Sequence, residues 1–335
     1  MKIAVVKLSA LGDIVHAMVA LQFIKAALPN AQIDWLVEQG FAGVLEGNPH
    51  IDRILPVNLK ALKSDKSRFF RELSTIRHYA RQRYDVVIDA QGLLKSAIVA
   101  RLLSANCVGF DRDSIREKWA AALYARGVAC PYDANTIDRN VRVLTQPLGI
   151  TVTRRQILQK QPFLYFTPAE TKLEEFFVGD RPNILLVTGS TWPSRNYPVE
   201  NFLQVMQGLS ANYLLCWGGE AELRNARWLA GRSDARVLPR LSLNDLKAAI
   251  ARADLLIGND TGPTHMAWGL NRPSITLFGP TPVSRVYQTE INTVLKSPSL
   301  VNPFKLNKDD FSIAQIAPEA VIDMATGLLG HAMAG

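Results

Sequence analysis

The sequence predicts an α/β protein built as two halves, each a parallel sheet covered by helices. Three observations carry this. Short apolar, β-branched runs alternate with helix-length amphipathic segments, the pattern of βαβ units. The pattern halts over residues 149–182 and then restarts. A chain of 335 residues also suits two domains of about 150 residues each.

In the first half, Ile3-Ala4-Val5-Val6 reads as a strand ending in the turn Ser9-Ala10-Leu11-Gly12-Asp13. Residues 14–28 have helical spacing and stop at Pro29-Asn30. Strands follow at 33–37 and 53–57, then a basic helix over about 67–83. Residues 85–89 form a buried-type strand, and Ala90-Gln91-Gly92 turns into a helix starting near Leu93. In the second half, strands fall at 183–187, 213–217, 237–238, 255–257 and 274–278. Helices are expected over 199–209, from Glu220, over 243–253 and finally over 318–329.

With 48% hydrophobic and 20% charged residues, the composition excludes a disordered chain, a collagen and a coiled coil. The apolar run 14–24 lies between Asp13 and Lys25, short of the roughly 20 residues of a membrane span. Lys7 and Asp13 also interrupt it as a signal peptide. Cys107, Cys130 and Cys216 are widely separated, with neither metal-ligand nor redox spacing, as expected in a reducing cytoplasm. Net charge is +8 and unevenly spread: residues 1–165 hold 23 Lys/Arg against 14 Asp/Glu, residues 166–335 only 15 against 16. Residues 60–83 alone carry eight basic side chains against Asp65 and Glu72. The first half is therefore expected to meet an anionic partner, an acidic lipid surface or a phosphorylated or carboxylated substrate. A solvated helix face is the competing reading. Zinc-finger spacing, a ribonucleoprotein motif and a basic tail are all missing, so nucleic acid is not expected.

In open parallel sheets, ligands bind beyond the carboxyl ends of the strands, so the turns there are where chemistry is expected. The first, Lys7-Leu8-Ser9-Ala10-Leu11-Gly12-Asp13, lacks the G-x-G-x-x-G fingerprint of a dinucleotide site, which speaks against a nicotinamide-dependent dehydrogenase. Asp13 at a helix start is either a helix cap or a general base. Gly258-Asn259-Asp260-Thr261-Gly262-Pro263-Thr264-His265 follows a buried strand and opens a helix, whose free N–H groups favour phosphate. His265 lies one turn on, within reach of the same anion. Gly189-Ser190-Thr191 offers hydroxyls, and Arg195 a charge for a diphosphate. Glu220 and Glu222 follow a strand end, where an acid either accepts from ribose hydroxyls or complements a first helical turn. Asp111-Arg112-Asp113 has a metal-type spacing but an arginine between its carboxylates; it reads as a surface loop, and no metal is expected.

Taken together, Lys7 to Asp13, Asp89-Ala90-Gln91-Gly92-Leu93-Leu94-Lys95-Ser96, Asp260-Thr261-Gly262 with His265, and Phe278-Gly279-Pro280-Thr281 resemble the heptosyltransferases of lipopolysaccharide core synthesis, glycosyltransferase family 9. The resemblance spans nearly the whole chain. It implies the GT-B fold, with Rossmann-like domains over 1–165 and 166–315 facing across a central cleft. Residues 316–335 would form a helix packing back on the first domain. It also implies inverting transfer from ADP-L-glycero-β-D-manno-heptose with no cofactor. The Asp-Ala-Gln-Gly-Leu segment and the basic stretch are most similar to members acting on Kdo of Kdo₂–lipid A. Such an enzyme would sit on the cytoplasmic face of the inner membrane, in peripheral contact with its anionic surface. By the same resemblance Asp13 would be the base, Thr261 and Gly262 would hold the diphosphate, and Asp260 and His265 would contact heptose or phosphate. Ser190 and Thr191 would line the phosphates and Glu222 would meet the ribose. Arg195 stands where the family often has lysine beside the leaving group. Lys60, Lys63, Lys66, Lys95 and Arg116 would meet the phosphates and carboxylates of the acceptor.

Overall fold

Apolar, β-branched segments pair as parallel strands where a helical crossover can return the chain to the same sheet edge. The computed structural model describes residues 1–333, with the side chains of Lys63 and of 331–333 outside the described set. It divides into two units, residues 1–165 and 166–335.

The first unit holds β1 (Lys2–Val6), β2 (Gln32–Glu38), β3 (Arg53–Val57), β4 (Val86–Asp89), β5 (Cys107–Phe110) and β6 (Arg126–Val128). They lie in the order β3-β2-β1-β4-β5-β6, and every pair is parallel. The second unit holds β7 (Asn183–Val187), β8 (Asn212–Cys216), β9 (Arg236–Val237), β10 (Leu255–Asn259), β11 (Ser274–Phe278) and β12 (Asn292–Lys296). Their order is β12-β11-β10-β7-β8-β9, again all parallel. Counted within its own unit, each sheet has the 3-2-1-4-5-6 order of a Rossmann domain. The direction of winding reverses between β1 and β4 in one sheet and between β7 and β10 in the other. Loops leaving those strands part to opposite faces and open a crevice at each reversal.

Each sheet is buried by its own helices. In the first unit, Ala4, Val6, Leu36 and Val87 pack with Ile76 of the helix Phe69–Ala80 and Val99 of the helix Leu94–Leu103. In the second, Ile184, Leu186, Ile257 and Leu277 pack with Phe202 and Val205 of the helix Val199–Gly208.

The expected single helix over 14–28 is two, Leu11–Met18 and Ala20–Ala27, parted by one turn at Val19. The expected last helix is present as Pro318–Met333. In Pro318–Met333, Val321, Ala325 and Leu328 form one stripe buried in the second unit's core. Ile322 fits beside the helix Val199–Gly208 because Gly208 has no side chain; a Cβ there would lie 2.3 Å from the Ile322 Cδ1. Val321→Asp would place a carboxylate in this core. It is expected to cost about 3 kcal/mol or more, read as a large loss of thermal stability.

Candidate active site

At the first reversal, β1 runs straight into the helix Leu11–Met18 through the turn at residues 7–10. The neighbouring strand holds this turn. The Gln91 side-chain Oε1 accepts from the backbone N–H of Leu8 and of Ser9, each at 3.0 Å. Asp89, fully buried at the end of β4, accepts from the N–H of Gln91 at 2.8 Å and from the Tyr124 hydroxyl at 2.7 Å. Gly92 has φ of +69°, the left-handed conformation that glycine adopts without strain. Burial raises the Asp89 carboxyl above its ordinary value, although the hydrogen bonds from Tyr124, Ser96, Gln91 and Gly92 work against the rise.

Asp13 stands in the first turn of its helix, half-buried, and one carboxylate oxygen accepts from the Ala10 N–H at 3.2 Å. It thus does the capping work expected of it while one oxygen has no such bond to the turn. Behind it is a residue to which the sequence reading gave no role. Lys7 is buried, and its ammonium donates to the Ala90 carbonyl at 2.7 Å and to Asn140 Oδ1 at 3.1 Å. Burial lowers its pKa and Arg139 adds to the lowering, while the charges of Asp13 and Asp89 oppose it. A lysine closing an otherwise apolar strand was the available signal.

The basic groups expected to meet an acceptor cluster partly on one carboxylate. Glu38, buried at the end of β2, accepts from the Lys60 backbone N–H at 3.3 Å, and the Lys95 ammonium lies 3.9 Å from its other oxygen. Burial raises the Glu38 pKa, and the Lys60 hydrogen bond and the charges of Lys95 and Lys60 pull it back. The Lys60 ammonium sits 4.2 Å above the Phe41 ring. Lys66, opening a short 3-10 turn, and Arg116, on a loop, are both exposed. The side chain of Lys63 lies outside the described residues. Asp111 accepts from the Ser114 N–H at 2.9 Å, a local turn bond.

At the second reversal, the helix Gly262–Gly269 starts directly after β10, with Thr261 extended at its cap and Pro263 in its first turn. Neither Asp260 nor Thr261 caps it through a side chain. The Asp260 carboxylate turns inward instead. One oxygen lies 3.0 Å from His265 Nε2; the other accepts from the Thr281 hydroxyl at 2.7 Å and lies 2.8 Å from an Arg195 nitrogen. Burial would raise this carboxyl. The His265 hydrogen bond and the Arg195 and Arg285 charges outweigh that and hold it far below the usual carboxylate range. Arg195, expected to face a diphosphate directly, is thus buried and anchored on Asp260.

The loop after β7 has the opposite character. The hydroxyls of Thr188, Ser190 and Ser194 are all buried with no hydrogen-bond partner among the described residues. Thr191 beside them is exposed. Buried polar atoms are satisfied as a rule, so three such hydroxyls on one loop stand out in this unit. Glu222 lies against this loop: a Cβ on Gly189 would come within 2.2 Å of its Cγ. Its Oε2 accepts from the N–H groups of Gly218 and Gly219, so it caps the helix Glu220–Ala230. Thr188 and Ser194 went unnoticed in the sequence, and Thr281 was noted only as part of a motif and not as a partner of Asp260, because such types are ordinary for loops.

The second unit therefore gathers hydroxyls, a helix N-terminus, a histidine and a buried guanidinium, which are donors for an oxyanion. The first presents a carboxylate and exposed cations. Two Rossmann-like units equipped in this way define a glycosyltransferase of the GT-B class. Residues 73–298 match the model of glycosyltransferase family 9 (heptosyltransferase). The chain is 34% identical to lipopolysaccharide heptosyltransferase 1 of Campylobacter coli, over 98% of this chain and 99% of that one. It is 32% identical to the lipopolysaccharide heptosyltransferase 1 of Pseudomonas aeruginosa, over 84% of this chain and 79% of its relative. The solved structure of E. coli heptosyltransferase WaaC with ADP-2-deoxy-2-fluoro heptose superposes with a TM-score of 0.78 at 25% identity, covering 97% of this chain and 99% of that one. The chain belongs to glycosyltransferase family 9, the heptosyltransferases.

Asp260→Asn would leave the buried Arg195 charge uncompensated and is expected to cost about 3–5 kcal/mol in chemical denaturation. Because the folded-state pKa of Asp260 is depressed, its stabilisation is present above the ordinary carboxylate range. It is lost progressively as pH falls from the ordinary carboxylate range towards the depressed value. The difference between wild type and Asp260→Asn should therefore be full near neutral pH and shrink as pH drops below the ordinary carboxylate range.

Proposed function

We propose that the protein transfers L-glycero-D-manno-heptose from ADP-L-glycero-β-D-manno-heptose to Kdo of Kdo₂–lipid A, with inversion at the anomeric carbon. The observation that carries this is the oxyanion site around Asp260, in a chain 34% identical to a lipopolysaccharide heptosyltransferase 1. An ADP-sugar diphosphate matches that donor set. The E. coli structure with an ADP-2-deoxy-2-fluoro heptose has the same fold.

The reaction is a single displacement. Asp13 accepts the proton of the Kdo hydroxyl as its oxygen attacks the anomeric carbon. The bond from that carbon to the diphosphate oxygen breaks, and ADP leaves with the electron pair. The N–H groups opening the helix Gly262–Gly269, the hydroxyls of Ser190 and Thr191, and His265 stabilise the departing charge. Arg195 acts from its anchored position on Asp260, and Gly262 lets the diphosphate approach the backbone. Glu222, with Oε2 engaged in capping, meets the ribose through its other oxygen. Lys7 holds a positive charge behind Asp13 and the turn that carries it. Lys60, Lys63, Lys66, Lys95 and Arg116 receive the phosphates and carboxylates of the acceptor, at the cytoplasmic face of the inner membrane.

Asp13→Ala should retain ADP-sugar binding by calorimetry and lose turnover by roughly 10²–10⁴-fold; near-normal turnover would remove Asp13 from the mechanism. The acceptor is tested by incubating ADP-heptose with Kdo₂–lipid A and, separately, with its mono-heptosylated form, and weighing the products. A heptose gained by the first alone supports the reading. A heptose gained only by the second would assign the chain to a later step of the core.

A further inference from the structure

We propose that Arg285 is a further catalytic residue, whose guanidinium receives the β-phosphate of the departing nucleoside diphosphate. The inference rests on the donor proposed above and adds the cation that meets it.

The charges around Asp260 do not balance. Arg195 lies 2.8 Å from one Asp260 oxygen and also donates to the Asp260 backbone carbonyl. Its single positive charge is thus matched by the single negative charge of Asp260, and the residue is buried. A guanidinium neutralised in this way and tied at two points has little left for a second anion. Arg285 stands outside that pair. It ends the one-turn helix Val283–Arg285 on the loop leaving β11, four residues after Thr281, whose hydroxyl donates to Asp260 at 2.7 Å. Its charge reaches the Asp260 carboxylate and adds to that of Arg195 in keeping it ionised. Its own side chain is half-buried and makes neither a hydrogen bond nor an ion pair among the described residues. Two arginines beside one carboxylate leave a surplus of one positive charge.

The loop that carries this surplus is fixed at both ends. Thr281 is held on Asp260, the Arg285 N–H donates to the Pro282 carbonyl at 3.3 Å, and Tyr287 is buried two residues on. At its start the loop lies against the one after β7: a Cβ on Gly279 would sit 3.3 Å from the Ser194 carbonyl oxygen. Arg285 therefore belongs to the same convergence of strand-end loops as the hydroxyls of Ser190 and Ser194 and the start of the helix Gly262–Gly269. A surplus cation among N–H and hydroxyl donors calls for an anion, and the paired N–H groups of a guanidinium match two oxygens of one phosphate.

The two arginines then divide the work. Arg195 is anchored and positions Asp260. Arg285 touches the diphosphate. When the bond from the anomeric carbon to the β-phosphate oxygen breaks, that oxygen leaves with the electron pair and ADP gains one unit of negative charge. Arg285 stabilises this charge through its N–H groups and transfers no proton; the proton of the acceptor hydroxyl goes to Asp13. AMP has no β-phosphate, so its binding does not use this contact.

ADP and AMP are titrated by calorimetry into the full chain, as wild type, Arg285→Gln, Arg285→Lys and Lys308→Gln. Lys308 is an exposed cation of the same unit, 4.9 Å from the ring of Trp192, which Arg195 also meets at 5.3 Å. It reports what a nearby charge contributes through its field alone. Arg285→Gln should lose roughly 10–100-fold in ADP affinity while AMP affinity and melting temperature hold, and Arg285→Lys should regain part of the loss. With the ADP-sugar and acceptor, kcat of Arg285→Gln should fall by roughly 10²-fold. Unchanged ADP affinity in Arg285→Gln would overturn the proposal. So would an equal loss for ADP and AMP, which means a displaced loop, or a loss no larger than that of Lys308→Gln, which means a distant field. A wild type that binds no ADP would sink the proposed function and this residue's part in it. ADP binding that depends on Arg285, without heptose transfer to either acceptor, would leave the contact standing and overturn the function alone.

Discussion

The second unit depends on a single buried carboxylate. Asp260 is held from three directions, by His265, Thr281 and Arg195. An ionised carboxylate inside a protein is costly unless its oxygens are hydrogen-bonded and its charge is matched. Here both conditions hold, and the consequence is geometric. Asp260 ties the end of β10 to the loop after β7 through Arg195, and to the loop after β11 through Thr281. Three strand-end loops are thereby fixed around one point, and the start of the helix Gly262–Gly269 is fixed with them. The carboxylate orients the groups proposed to meet an anion, and its own charge is buried and matched by Arg195.

The first unit uses the same device with the charges exchanged. There the buried ion behind the turn is the ammonium of Lys7, satisfied by the Ala90 carbonyl and Asn140. Asp13 stands in front of it at the mouth of the crevice. Each unit thus places a rigid, satisfied ion behind its working turn and leaves opposite chemistry in front. That fits a reaction in which one reactant gives up a proton and the other departs as a diphosphate.

Much of this was legible in the sequence. The alternation of apolar runs and helices gave the two parallel sheets, and glycine-bearing turns after strands marked both sites. What escaped had physical causes. β5 and β6 are short and each contains a glycine, which blunts the apolar signal; Gly109 is there because a Cβ would collide with the Tyr124 ring. β12 is an edge strand, only partly buried, and reads as polar. The partner of the last helix's apolar stripe in the second unit's core was not legible, because a stripe of apolar residues says that a face is buried and not against what. Lys7 was noted only as part of a turn and given no role, because its role depends on burial. The pairing of Arg195 with Asp260, an acid 65 positions away, was not legible because it depends on tertiary contact.

The pairing of β1 with β4 has a consequence for how such a chain can change. Val6 is in register with Asp89, the Ala90 N–H reaches the Val6 carbonyl at 3.0 Å, and Gln91 then clasps the backbone of Leu8 and Ser9. One added residue between Asp89 and Gln91 would swing that amide to the other side of the strand and release the loop bearing Asp13. Loops without such a clasp tolerate insertions and deletions more readily. These few positions have no such freedom, and two segments more than eighty residues apart must evolve as one.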